Sequence, residues 1–508
     1  MNSAKQIKVG AILSYVQMGL TFAVNLIYIP LMISILGKSE YGLYSTATST
    51  ISMLSILNLG FSSSYIRYYS KYKKIGDEEG IAKVNGLFLI IFSVIGIIAF
   101  ICGMYLTNNL ELVFKNGLTL VEYEKAKDMM IYLTVNLAIS FPMCVFTNII
   151  TSQEKFIFLK SLGLIKTVCS PLLTIPLLLN GFGLISIVVL TLIVSVSVDI
   201  CSLIYCFKHL SARFVFHDFE KGIFKDVLVF TSFLAINIVV NQINLNIDAL
   251  LLGRYKGTEA VAVYTVGQTL YTYFQLLSTS ISNLFTPKVY YLVNNYSGAE
   301  QKKKLTDLFV KVGRIQFLIL SLVCTGMIFF GKSFITSFWA GQGYDDSYYV
   351  LLLLAIPSMI ALTQNVGLEI QRAENKHKFR SIAYLIMAFI NLVISIILCQ
   401  KYGAVGCAFG TAISFVLCNG IVMNIFYHRK CNIDIIAFWK SISRIFWSIV
   451  PPVVAWLFIR HLFDLSNLPI FIAGVSVYSI MYCVSLWFIG MNNEEKTLIR
   501  GAISTIRK

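Results

Sequence analysis

This sequence predicts an all-α integral membrane protein of about fourteen transmembrane helices, and three observations predict it. Charged residues make up 13% of the chain and the mean hydropathy is +0.76, whereas a soluble domain carries roughly 25% charged residues. Apolar stretches long enough to cross a bilayer follow one another along most of the length. Lys and Arg fall on alternate connecting segments. With the N-terminus placed in the cytoplasm, 32 of the 41 basic residues lie on one side and 9 on the other, the bias expected of cytoplasmic loops. Both termini are then cytoplasmic.

In order, the stretches are Val9–Leu36, Tyr44–Tyr65, Gly86–Thr107, Met129–Thr151, Ser161–Asn180, Leu184–Cys206, Val227–Gly253, Ala262–Phe285, Ile315–Phe330, Tyr349–Ile370, Ile382–Gln400, Ala404–Tyr427, Ile445–Ile459 and Leu468–Ile489. The first is too long for a cleavable leader and reads as the start of the bundle.

The net charge of +16 is spread among short loops. That placement suits a membrane surface and excludes nucleic acid as a partner. None of the 11 cysteines forms a CxxC pair or shares zinc spacing with a histidine, so they read as small, reduced packing residues. No GxxxxGK[ST] phosphate loop is present, so the chain does not power itself with ATP. No nucleophile–base or zinc-protease spacing stands out. The longest outer loop, Asn108–Asp128, is short for a membrane glycosyltransferase or polymerase. The chain therefore reads as a non-enzyme without a metal or organic cofactor.

The two halves look alike at a separation of roughly 220 residues. Leu36-Gly37 pairs with Leu252-Gly253, Asn58-Leu59 with Asn283-Leu284, and Pro142 with Pro357. Glu154-Lys155 pairs with Asn375-Lys376, and Gly183 with Gly403. Five weak matches in sequence order predict two six-helix bundles, residues 1–215 and 216–430. Two further helices and a cytoplasmic tail follow in residues 431–508. Six is an even number, so both bundles enter from the same side and the repeat is parallel.

Polar stripes supply the functional reading. In the seventh stretch, Asn237, Asn241, Asn244 and Asp248 are spaced to share one helix face. Similar stripes run through the first stretch (Ser14, Gln17, Thr21, Asn25, Tyr28) and the eighth (Gln268, Tyr271, Gln275, Ser278, Ser282). The fourth carries Asn136, Ser140, Cys144, Asn148 and Thr151, and the tenth Ser358, Asn365, Glu369 and Arg372. A carboxylate at membrane depth costs about 2.5–3.5 kcal/mol on insertion scales and normally faces protein or a wet cavity. Matched stripes in both halves predict a polar central cavity, with helix-to-helix amide contacts as the plainer alternative. Asp248, Asp199 and Glu369 are candidate carboxylates for a coupling ion, H⁺ or Na⁺. Arg254 is a candidate partner for Asp248, and Glu369 with Arg372 reads as an ion pair at the interface. Arg67 and Lys166, near cytoplasmic helix ends, are candidates for an anionic head group or for simple interfacial anchoring. No Lys or Arg lies deep in any stretch.

Tyr28-Ile-Pro-Leu through Leu36-Gly37-Lys-Ser-Glu-Tyr-Gly-Leu-Tyr44, then Leu57-Asn-Leu-Gly60 through Tyr65-Ile-Arg67, resembles the opening of bacterial polysaccharide flippases. These belong to the multidrug/oligosaccharidyl-lipid/polysaccharide exporter superfamily. Asp248-Ala-Leu-Leu-Leu-Gly253 with Val263-Tyr264, and Tyr402-Gly403 through Gly410-Thr411, are similar to its seventh and twelfth helix regions. The resemblance implies a V of two six-helix bundles around a central cavity, as in multidrug exporters, working by alternating access in the bacterial inner membrane. It implies as cargo an oligosaccharide repeat unit on undecaprenyl pyrophosphate, for polysaccharide or O-antigen biosynthesis. Membrane lipid, the polysaccharide polymerase and the chain-length machinery follow as candidate partners. Arg67 and Asp248 match the family's functional positions. Rival readings are a proton- or sodium-coupled multidrug antiporter, a lipid II flippase, and a membrane scaffold that moves nothing.

Overall fold

A computed structural model describes residues 3–114, 118–219, 222–374, 376–431 and 433–506. Asn375, one of the residues matched between the halves, lies outside the described residues. So do the side chains of Asn237 and Asn241, although both sit on a described helix backbone.

Sixteen α-helices carry the chain among the described residues: α1 (Ser3–Met53), α2 (Phe61–Ile75), α3 (Glu78–Asn108), α4 (Leu120–Ser152), α5 (Phe156–Leu179), α6 (Gly183–His209), α7 (Ile223–Tyr255), α8 (Thr258–Asn295), α9 (Gly298–Ser333), α10 (Asp345–Thr363), α11 (Asn365–Ala373), α12 (His377–Phe415), α13 (Met423–Arg429), α14 (Ile435–Ile459), α15 (Leu468–Ser485) and α16 (Asn493–Ile506). Short π-helical pieces follow α9, α12 and α15. The fold is an all-α, multi-pass membrane fold. Among the described residues, ten helical segments are long and apolar enough to cross a bilayer, and two of them, Val9–Ile75 and Lys378–Arg429, each hold two of the predicted stretches. Helices α7 and α8 contain the two stretches that these ten segments leave over.

Two predicted connections are bends rather than loops. Helix α1 runs through residues 38–43 and breaks only at Gly37, with φ 80° and ψ 171°. Helix α12 breaks only at Gly403, at φ 58°. Gly183, matched with Gly403 in sequence, also has positive φ, 68°. Such backbone suits glycine because it lacks a Cβ. Pro142 and Pro357, another matched pair, both lie inside helices.

The residues divide into two compact units, Met1–Thr265 and Val266–Lys508. In the first, Tyr65, Phe88, Phe92, Phe141 and Val145 form the centre of an apolar core between α2, α3 and α4. The strap after α6 is pinned to α3. Buried Asn85 accepts from the Tyr65 hydroxyl at 2.5 Å and donates to the Arg213 carbonyl at 2.9 Å. Val215 N–H donates to the Ala82 carbonyl at 3.0 Å. A Cβ on Gly86 would stand 2.0 Å from the Val215 carbonyl oxygen, so only glycine admits the strap there.

In the second unit, Phe309, Tyr427 and Phe438 join α9, α13 and α14. Phe330, Trp456, Tyr478 and Tyr482 pack α15 onto α9 and α14. Many large apolar side chains stay exposed, among them Ile97, Leu172, Phe389 and Trp447. An outer surface of this kind faces hydrocarbon.

Candidate functional site

Hydroxyls on the predicted stripes are mostly satisfied on their own helices. Ser14 donates to the Gly10 carbonyl, Thr21 to Gln17, Ser140 to Leu137 and Thr151 to Thr147. Asn25 on α1 and Asn244 on α7 are half-buried. Gln268 is half-buried on α8, and Gln275 donates to the Tyr271 hydroxyl at 2.5 Å.

Asp248, expected from sequence to line a cavity, lies on α7 one helix turn before Leu252. It is 1% exposed, and the hydroxyl of Tyr264, equally buried, donates to its Oδ2 at 2.6 Å. Adjacent α7 and α8 bring the two together. Arg254 is not its partner: the guanidinium reaches the Leu112 carbonyl instead. Off the predicted stripe, Gln242 ties α7 to the turn after α1, and Asn246 braces it from the same helix. Gln242 donates to Ser55 Oγ at 2.8 Å, and Asn246 donates to Gln242 Oε1 at 2.8 Å.

Arg67 is exposed, and its guanidinium carbon lies 4.3 Å from the centre of the Phe230 ring on α7. One turn away, the Ser64 and Thr231 hydroxyls hydrogen-bond at 2.8 Å. Together these contacts hold the middle of α2 against α7. Lys166 on α5 is exposed and acts electrostatically on half-buried Asp199 of α6. A carboxylate whose spacing names no partner in the sequence therefore has a cation near it.

In the second unit, buried Ser278 is a hub. It donates to the Leu362 carbonyl at 2.7 Å and accepts from Gln316 at 3.0 Å and Asn365 at 2.8 Å. Glu369 is 9% exposed and accepts from Arg372 at 2.7 Å. This is an ion pair one turn apart on α11.

Sequence reasoning missed the most heavily bonded charge. Arg314 on α9 is 6% exposed and grips Glu495 of α16 with two bonds, 2.7 and 3.0 Å. It also donates to the Ser441 and Gly490 carbonyls, each at 2.9 Å. Arg380 on α12 was missed as well. It leans on the Tyr384 ring at 4.6 Å, and Tyr384 donates to Asn419 at 2.5 Å.

Apolar outer faces around polar helix contacts define a multi-pass membrane protein with the fold of flippase-type exporters. Lipid II flippase MurJ in an inward closed conformation is similar in fold, with TM-score 0.70, 17% identity, and 94% of this chain and 98% of that one covered. The MATE multidrug transporter DinF-BH is similar at TM-score 0.59, with 19% identity over 84% of this chain and 96% of that one. A MOP superfamily transporter from Pyrococcus furiosus Vc1 is similar at TM-score 0.57, with 16% identity over 85% of this chain and 97% of that one. No curated protein matches the sequence. The model of the polysaccharide biosynthesis protein family matches residues 8–285, more than half of the chain. The chain belongs to that family.

Proposed function

We propose that this protein is a flippase carrying an undecaprenyl-pyrophosphate-linked oligosaccharide repeat unit from the cytoplasmic to the outer leaflet of the bacterial inner membrane. The observation that carries the reading is membership of the polysaccharide biosynthesis family across residues 8–285. A sugar chain cannot cross hydrocarbon with its hydroxyls unpaired. Asn25, Asn244, Gln268 and Gln275 are half-buried side-chain amides on membrane helices, the chemistry that replaces water around hydroxyls. Transport runs by alternating access, with both termini cytoplasmic. Arg67 and Lys166, exposed cations on α2 and α5, collect the pyrophosphate. Asp248, Asp199 and Glu369 are the carboxylates available to a coupling H⁺ or Na⁺. The polymerase and chain-length machinery receive the product.

Deleting the gene and labelling surface glycans tests this. We expect lipid-linked repeat units to vanish from the outer leaflet and accumulate inside. Unchanged surface display, with resistance to cationic dyes lost, would replace this reading with the antiporter. Loss of lipid II at the surface would replace it with the cell-wall precursor flippase.

A further inference from the structure

A cleft of about 560 Å³ lies where the start of α12 meets α13. Its floor is apolar. Phe379 and Phe426 stack there with ring centres 4.3 Å apart and planes within 4°, and Ile425 forms a half-exposed wall. Its rim is cationic. Lys378, Arg429 and Lys430 line it and are all exposed, and none has an ion pair among the described residues. Lys376 is already committed, bonded at 2.9 Å to Glu374 and at 2.6 Å to the Lys430 carbonyl. That pair of bonds fixes the rim without neutralising its other three charges.

The floor does not end at the cleft. Phe379 begins a row of exposed apolar side chains along α12 that continues through Ile382, Ile386, Phe389 and Val393. Spacings of three and four residues keep them on one helix face. The opposite wall follows a π-helical piece, Val416–Val422, which runs directly into α13.

A ligand that satisfies both surfaces needs an anionic head and a hydrocarbon tail. A soluble phosphate would leave the aromatic floor wet, and a zwitterionic lipid would leave the rim charges poorly balanced. We propose that this cleft binds an anionic glycerophospholipid of the cytoplasmic leaflet, its phosphate held by Lys378, Arg429 and Lys430 and one acyl chain lying along the exposed face of α12. The choice of leaflet rests on the topology proposed above; the chemistry of the cleft does not.

The test uses the purified full-length chain in detergent, native mass spectrometry, and equal amounts of phosphatidylglycerol and phosphatidylcholine. The wild type is expected to retain phosphatidylglycerol preferentially. Because each basic residue near an anionic lipid contributes substantially, the triple variant Lys378→Gln/Arg429→Gln/Lys430→Gln is expected to lose about tenfold or more of that preference. A control removing three exposed lysines elsewhere, Lys302→Gln/Lys303→Gln/Lys440→Gln, is expected to keep it. Full preference in the cleft variant, or equal loss in the control, would overturn the proposal. So would stronger retention of undecaprenyl phosphate than of phosphatidylglycerol at this cleft, which would make it a cargo site. None of these readouts involves transport, so loss of export in cells and loss of lipid retention are separate results.

Discussion

The Tyr264 hydroxyl donates a 2.6 Å hydrogen bond to the Asp248 carboxylate, and both side chains are 1% exposed. A buried carboxylate that loses a donor gives up part of what offsets its desolvation, typically about 1–3 kcal/mol. Tyr264→Phe is therefore expected to lower stability by that amount in denaturant melts. Asp248→Asn keeps an acceptor and removes the charge. We expect it to melt near the wild type and to lose most export of the repeat unit, scored at equal protein level. Wild-type export by Asp248→Asn would remove the charge from the mechanism.

Arg314 and Glu495 fasten α16 to α9 through a buried two-bond pair. Removing one partner of a buried pair leaves an unbalanced charge and costs roughly 3–5 kcal/mol. Arg314→Met and Glu495→Leu are each expected to destabilise the second unit by about that much. The double variant is expected to recover a large part of the loss, because neither charge is then stranded. Additive losses in a double-mutant cycle would contradict the coupling.

Gly183 and Gly403 hold positive-φ backbone, with open space where a Cβ would stand. Steric crowding is thus absent, and alanine there meets only the conformational cost, about 1–2 kcal/mol. Gly19, also with open space but without positive φ, is the control. Alanine at Gly19 is expected to be neutral or stabilising by up to about 1 kcal/mol. Thermal melts of the three variants check the contrast.

Exposed Arg67, midway along α2, lies over Phe230. An exposed cation–π contact is worth only about 0.5–1 kcal/mol. Phe230→Leu should accordingly change stability little. Arg67→Ala is expected to build up lipid-linked oligosaccharide on the cytoplasmic leaflet, while Arg67→Lys restores part of the export. Normal export by Arg67→Ala would reduce this residue to an anchor.

The membrane helices are legible in the sequence because each needs a long apolar run, and nothing else in a chain looks like that. The connection around residues 38–43 is not, because a single glycine turns the helix and no loop is needed. The stripe containing Asp248 is visible as spacing, yet spacing cannot say what a face meets. Tyr264 meets Asp248 across the short α7–α8 turn, and it is the off-stripe Gln242, braced by Asn246 on its own helix, that bridges to Ser55. Arg314 escapes notice because it abuts the apolar run beginning at Ile315 and reads as a loop residue. Its partner, Glu495, stands 181 residues further on in a helix with no apolar signature. Pairing of that kind is set by folding, not by local pattern.

The most direct test of the central claim is reconstitution. Vesicles holding the purified chain would be loaded with a fluorescent undecaprenyl-pyrophosphate oligosaccharide, and the share reachable by an external quencher would be followed with time. We predict that the protected pool becomes reachable far faster than in protein-free vesicles, and that Asp248→Asn slows it. A protected pool that stays as closed as in protein-free vesicles, in preparations that move lipid II or a cationic dye, would contradict the account.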